Sequence, residues 1–381
     1  MSKIALDPVT AAKLARDVYL IGEGRQGLRR FMENHSKIVQ TKSDQLVTAT
    51  TGGSLFKQAS RFALLFLGKG RYKNQAFILV RGTASIADAL SDINVGTLNT
   101  GYGTMAHAGF VSAKRELSKP LDDFVASAGS IKCFHVIGHS LGGGVANLLA
   151  EQLKSGPGEK RNVKLYTFGA PRVGDQFFSQ RLTQKLGAYN IFRVTNTSDP
   201  VPMIPVWPYF HAAYGDKSYE RYSPYHPYKY HKMKYYVDSM EKSKTWSYLG
   251  GLQTMPITVE FIESFLMDEK PIGLTSYTVK LFSIALKFIQ QGALQGLSLV
   301  IGSASASYFS FMDRLAYMLH GKIRIDETKD SLAFLFIRRL CIVLGIRRTK
   351  DVSFSRSFIR FVLQTFFHRA MGVVRMACRG F

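Results

Sequence analysis

Residues 133–150 read CFHVIGHSLGGGVANLLA, with Ser140 flanked two residues to either side by Gly138 and Gly142. The apolar run 134–137 suits a buried strand and residues 145–150 suit a helix, so Gly138-His139-Ser140-Leu141-Gly142 must be the turn that joins them. Side chains at positions 138 and 142 would clash where strand and helix crowd together, which is the logic of a nucleophile elbow. Such a turn presents the Ser140 hydroxyl at the carboxyl end of a central strand. It also places the backbone N–H of Leu141 at a helix N-terminus, where developing negative charge is stabilised. G-x-S-x-G by itself is a common pattern, so the flanking segments must supply the partners.

The chain around the elbow alternates strands and helices. Residues 7–31 are expected to form one amphipathic helix opened by Asp7-Pro8 and packed on the sheet edge. The apolar runs 60–67 and 75–80, separated by GKGRYKN, suggest an antiparallel hairpin whose second strand ends at Arg81-Gly82-Thr83. Residues 84–92 could form a helix capped by Ser85, and residues 111–128 a helix leading into the elbow strand. Strands follow at 163–168, ending in GAPRVGD, and at 191–195, ending in NTSDPVP. Polar residues at the carboxyl ends of strands that alternate with helices indicate an α/β fold with a mostly parallel sheet and a site on that edge. Residues 203–230 are aromatic, rich in proline, and read as loop.

A serine hydroxyl needs a base to take its proton, and the base needs a carboxylate to hold it. In the α/β-hydrolase arrangement the order along the chain is Ser, then Asp or Glu, then His. Asp199 ends the strand 191–195 and is followed by a proline, which favours it as the acid over Asp175, a competitor in a glycine-containing turn. Three histidines follow Asp199 before the C-terminal region: His211, His226 and His231. His231 precedes the point where regular structure resumes, as expected of a base at an element boundary, and the other two remain alternatives. His35, His107, His135 and His139 precede Asp199 and fall outside that order. No spacing of His, Cys, Asp or Glu suggests a metal site, and this chemistry requires no metal or organic cofactor.

RGTASIADALSD, AHAGF, GHSLGG, FGAPRVGD, NTSDPVPMIP and HKMKYY follow one another between residues 81 and 236. This ordered series resembles the class 3 lipases, the fungal-type triacylglycerol lipase family, over about residues 60–240. The resemblance implies the α/β-hydrolase fold, Ser140 as nucleophile, Asp199 as acid and His231 as base, with Thr83 and Leu141 as oxyanion donors. It implies a lipid ester as substrate, of either the acylglycerol or the phospholipid class. Ala106 stands where the family often has valine.

Beyond residue 249 the strand pattern is lost. We expect a hydrolase domain over 1–249 and a helical, apolar and basic C-terminal region over 250–381. Residues 288–312 contain no charged side chain, yet glutamines and serines favour a buried or interfacial helix pair over a membrane span. Residues 331–346 are apolar but divided by Arg338 and Arg339. Residues 331–381 hold ten basic residues and one acidic, a net +9 within a whole-chain charge of +23. From 355 to 379 a helical wheel puts Arg356, Arg360, Gln364, His368, Arg375 and Arg379 on one face, opposite Phe358, Ile359, Val362, Phe366 and Val373. Such a helix either lies in a membrane interface or covers a protein core. No nucleic-acid-binding motif accompanies the charge, so an anionic lipid surface is the expected partner. That leaves a second functional class open, a membrane-perturbing protein with the hydrolase fold as scaffold.

The N-terminus has Asp7 and Pro8 where a secretory signal would need its apolar core. We therefore expect a cytoplasmic or peripheral membrane protein, or one exported by a route that reads no signal. Cys133, Cys341 and Cys378 lie too far apart for a disulfide framework and are expected to be reduced thiols.

Overall fold

The computed structural model describes residues 5–40, 47–53, 56–82, 97–156, 159–206, 209–214, 218–221, 227–251, 257–291, 311–325, 331–346 and 354–378. The expected helix at 84–92 and most of the uncharged stretch 288–312 lie outside these residues. Two compact units divide the chain: residues 1–89, 97–254 and 376–381 form the first, and residues 90–96 and 255–375 the second.

In the first unit, α1 (Pro8–Asp17) is capped by Asp7, whose carboxylate accepts from the Thr10 N–H at 2.8 Å. A 3-10 segment, Val18–Glu23, separates it from α2 (Gly24–Asn34). The single helix expected over 7–31 is therefore two. The break falls at Gly24, whose φ of 77° suits glycine and ends the helical path. The helix does not sit at the sheet edge either. Leu6 N–H donates to the Tyr166 hydroxyl at 3.0 Å, in a strand at the sheet centre, and Ala11, Leu14, Ala15 and Val18 are buried against that face.

The sheet has seven strands: β1 (Val47–Gly53), β2 (Phe56–Leu67), β3 (Gln75–Val80), then β6 (Cys133–His139), β7 (Asn162–Phe168), β8 (Ile191–Asn196) and β9 (Tyr219–Arg221) in that spatial order. A separate ribbon pairs β4 (Thr97–Asn99) with β5 (Met105–His107). β1, β2 and β3 are antiparallel neighbours, and every pairing from β3 to β9 is parallel. Parallel neighbours need crossovers, and α3 (Ala108–Ser127), α4 (Leu141–Leu153) and α5 (Gln176–Leu186) supply those from β3 as far as β8. β6 and the last six residues of β7 are buried throughout, as a strand covered on both faces must be. This is the α/β-hydrolase fold. The stretch read as loop over 203–230 conceals β9, three residues long and too short for alternation to mark. After it come α6 (Pro227–Tyr230), α7 (Met233–Ser243) and α8 (Trp246–Gly251).

The second unit is helical: α9 (Val259–Met267), α10 (Ser276–Gln291), α11 (Phe311–Ile325), α12 (Leu332–Leu344) and α13 (Arg356–Cys378), the last of which ends in the first unit. Phe282 of α10 is its centre, meeting Phe265, Phe336 and Phe366 edge-on at 5.2, 5.5 and 5.3 Å between ring centroids. Arg338 and Arg339 do not interrupt α12. Arg339 is 1% exposed, and its guanidinium bonds the Lys270 carbonyl at 2.8 Å, the Asp268 carboxylate at 3.2 Å and the Asp268 carbonyl. On α13, Ile359, Val362 and Phe366 are buried while Arg356, Arg360, His368 and Arg375 are exposed, the faces expected from the wheel. Phe366, packed on Phe282, shows part of that apolar face serving the unit's own core. Among the described residues no helix is long and apolar enough to cross a membrane.

The link between α1 and α2 is held by charge. Asp17, 6% exposed, accepts from His35 Nε2 at 2.9 Å and from Arg16 Nε at 2.6 Å. Burial alone would raise its pKa, but the bonds from His35 and Arg16 outweigh burial and hold it at about 2, below the ordinary 3.8. A depressed folded-state pKa means stabilisation that is present above the unfolded value and lost as pH falls through the folded one. Asp17→Asn is expected to lower the urea-unfolding free energy by about 2 kcal/mol at neutral pH. It should also flatten the loss of stability between about pH 4 and pH 2 in wild type.

Candidate active site

The elbow has the close approach that its glycines require. A Cβ on Gly138 would lie 2.3 Å from the Gly142 carbonyl oxygen, and one on Gly142 would lie 2.3 Å from the Val80 carbonyl oxygen on the neighbouring strand. Ser140 itself takes φ 57° and ψ −132°, a backbone conformation that costs a non-glycine residue roughly 1–3 kcal/mol and is met at sites the surrounding fold over-determines. Its N–H donates to the Phe168 carbonyl at 3.0 Å, tying the turn to the end of β7.

Three side chains meet there. His231 Nε2 lies 2.9 Å from Ser140 Oγ, and His231 Nδ1 lies 2.8 Å from Asp199 Oδ2. All three residues are fully buried. The carboxylate only accepts, so Nδ1 carries a proton and donates it to Asp199. In the neutral ring this leaves the Nε2 lone pair facing the serine hydroxyl. Burial alone would depress the His231 pKa, but the adjacent Asp199 carboxylate, together with Cys378, outweighs it and holds the ring above an ordinary histidine.

Asp199 is fixed from two sides. Its Oδ1 accepts from the Val201 N–H at 2.9 Å, and its Oδ2 accepts from the Tyr236 hydroxyl at 2.6 Å. Tyr236, on α7, also receives the Asn196 N–H at 3.2 Å. Gly169 makes room for the pair, since a Cβ there would meet Asp199 Oδ2 at 2.7 Å and the Tyr236 hydroxyl at 2.9 Å. The HKMKYY motif thus contributes a second residue besides His231. Spacing alone does not reveal it, because Tyr236 reaches Asp199 only once α7 packs against the end of β8.

The competing residues are engaged elsewhere. Asp175 caps α5, accepting the Phe178 N–H at 2.7 Å, and His211 donates from Nε2 to the Pro202 carbonyl at 2.8 Å. His226 and Thr83 lie outside the described residues. The strand end leading to Thr83 does reach Ser140, since a Cβ on Gly82 would stand 3.1 Å from the Ser140 Cβ. Leu141 opens α4, so its N–H belongs to the first turn, whose amides have no partner within the helix. Among the described residues no group of three or more His, Cys, Asp or Glu is placed to hold a metal ion. None of the three cysteines forms a disulfide, and all are buried.

A buried Ser–His–Asp relay on a strained strand-to-helix turn, at the carboxyl edge of a parallel sheet, defines the geometry of an α/β-hydrolase. Residues 77–209 match the family model for lipase (class 3). Ser140 and Asp199 fall inside the matched stretch and His231 beyond it. A Fusarium solani protein named secreted mono- and diacylglycerol lipase 1 is 35% identical over 138 residues, which cover 35% of this chain and 40% of that protein. A Vibrio cholerae protein named toxin TseL is 36% identical over 106 residues, covering 28% of this chain and 16% of that one. The chain thus spans less than half the length of these relatives. A Rhizomucor miehei lipase propeptide complex superposes with a TM-score of 0.42 at 20% identity, over 56% of this chain and 67% of that chain.

The relay predicts a chemical reactivity that needs no knowledge of the substrate. A fluorophosphonate is expected to label the protein at Ser140 alone, located by peptide mass spectrometry, and His231→Ala is expected to slow labelling at least about a hundredfold. Because Asp199 raises the pKa of His231, the rising limb of labelling rate against pH should lie above the ordinary histidine value of about 6.5.

Proposed function

We propose that this protein is a serine-dependent lipid ester hydrolase. The observation that carries this reading is the pair of hydrogen bonds at 2.9 and 2.8 Å that links Ser140, His231 and Asp199. Ser140 Oγ attacks the ester carbonyl while His231 Nε2 takes its proton. The tetrahedral oxyanion is received by the Leu141 N–H at the start of α4, with Thr83 as the second donor that family resemblance assigns. His231 then returns the proton to the departing alkoxide, leaving an acyl-enzyme. Water, deprotonated by the same ring, attacks that ester and restores Ser140. Asp199 holds the tautomer and stabilises the imidazolium formed in each half. Residues 1–249 carry this chemistry.

The family match and the charge support a reading of the substrate class. The Fusarium relative is named for mono- and diacylglycerols, and we take a lipid ester as the substrate here. Of the lipid classes we favour phospholipid at an anionic interface. Residues 331–381 carry +9, and α13 exposes Arg356, Arg360, His368 and Arg375. Only an anionic surface rewards that charge, at about 1 kcal/mol per engaged arginine.

Ser140→Ala is expected to lower kcat/KM for a short-chain p-nitrophenyl ester at least about a hundredfold. Equal activity in the variant and wild type would end the proposal. For the interface, Arg356→Gln with Arg375→Gln is expected to weaken sedimentation with phosphatidylglycerol vesicles by about thirtyfold while sparing hydrolysis of the soluble ester. Binding that is unchanged, or indifferent to anionic lipid, would return those arginines to a purely structural role. Chromatographic separation of products from mixed phospholipid and diacylglycerol vesicles then decides between the two substrate classes.

A further inference from the structure

His139, the last residue of β6, is fully buried and precedes the nucleophile by one position. The relay does not use it, yet its ring stands 4.8 Å from that of His231. Its Nε2 lies 2.8 Å from the His231 backbone carbonyl oxygen, and its Nδ1 lies 2.7 Å from the Tyr19 hydroxyl. A carbonyl can only accept, so Nε2 carries the proton and donates. Nδ1 is then an acceptor in the neutral ring, and the Tyr19 O–H must be its donor. Burial, followed by the neighbouring His231, pushes the His139 pKa well below that of an ordinary histidine, which keeps the ring neutral. Burial raises the pKa of Tyr19, which keeps its proton in place.

Tyr19 also meets the third part of the site. A Cβ at Gly82 would lie 2.2 Å from its hydroxyl oxygen. Hydrogen bonds therefore run from Tyr19, which packs against the strand end at Gly82, through His139 to the backbone of His231. The base needs such an anchor. His231 lies in the short link between α6 and α7, outside the sheet, so strand pairing fixes Ser140 but does nothing for His231.

We propose that Tyr19 and His139 are positioning residues that hold the His231 backbone at the nucleophile strand and keep Nε2 within reach of Ser140. The proposal rests on the ester hydrolase reading for its kinetics but not for its structural content. Tyr19 lies in the 3-10 segment between α1 and α2, so an N-terminal element outside the matched family stretch completes the site. Its hydroxyl can be removed without changing the ring, and the His139 donor can be mimicked. The side-chain amide of glutamine reaches about as far as a histidine Nε2, so His139→Gln keeps a donor for the His231 carbonyl that His139→Leu lacks.

The test compares wild type with Tyr19→Phe, His139→Leu and His139→Gln in the full chain. It measures kcat and KM on a short-chain p-nitrophenyl ester, the thermal midpoint, and the downfield proton resonance of the His231–Asp199 hydrogen bond. Tyr19→Phe is expected to lower kcat about ten- to a hundredfold with KM and the folded fraction unchanged. His139→Leu should lose more, and His139→Gln should recover most of the difference. In both Tyr19→Phe and His139→Leu the downfield proton should broaden through faster exchange. A Tyr19→Phe kcat within about twofold of wild type, or a resonance unchanged in both variants, overturns the proposal. If the wild type hydrolyses no ester but the resonance still broadens in the variants, the hydrolase reading fails and the positioning role stands.

Discussion

Three backbone segments converge at the elbow because two positions have no side chain. With Gly138 against the Gly142 carbonyl and Gly142 against the Val80 carbonyl, β6, the start of α4 and the end of β3 come closer than any Cβ would permit. That approach forces Ser140 into a positive φ and tips its hydroxyl out beyond the strand end. The cost is modest beside the burial of β6 and α4, in which all residues from Cys133 to Leu153 are inaccessible to solvent or nearly so. A turn strained in isolation is thus held by a core that has no other way to close, and Ser140 inherits its rigidity.

Asp199 and His231 depend on that turn in different ways. Asp199 follows β8 directly and is held by two hydrogen bonds, one from a neighbouring backbone amide and one from a tyrosine on α7. His231 has no strand beneath it. Its position follows from contacts made by its neighbours: the Tyr230 carbonyl accepts from the Asn196 side chain at 2.8 Å, and its own carbonyl accepts from His139. Both rings are buried, yet Asp199 helps to raise the pKa of His231 against that burial, while burial and the neighbouring His231 together lower that of His139. Two imidazoles 4.8 Å apart consequently differ in their protonation chemistry, and only one of them is suited to carry a proton during a reaction.

The helical unit solves its own packing problem by other means. Phe282 gathers aromatic neighbours from three helices, and edge-to-face pairs of this kind add roughly 0.5–1.5 kcal/mol each beyond their buried area. Arg339 enters the core without breaking α12, because the chain at Asp268 and Lys270 offers two carbonyls and a carboxylate where a water shell would otherwise be needed. A charged residue in an apolar run reads as an interruption until those acceptors are known. They lie about seventy residues away in sequence, beyond the reach of any periodicity argument.

What the sequence by itself determined is local. The elbow, the strands beside it and the acidic residue at the end of β8 were legible because glycine placement and apolar runs constrain the chain within a few residues of where they occur. The class of the fold followed from their alternation. The element boundary and the resemblance favoured His231 over His211, but only packing shows that one faces Ser140 while the other bonds Pro202. The two-helix N-terminus, its place over the sheet centre, β9, and the roles of Tyr236 near Asp199 and of Tyr19 near His139 were likewise decided by the folded chain. The physical reason is the same in each case. Tyr19 and His139 are separated by 120 residues, and a hydrogen bond across that distance leaves no periodic trace in the sequence, because its energy depends on where the two segments come to rest after the core has closed.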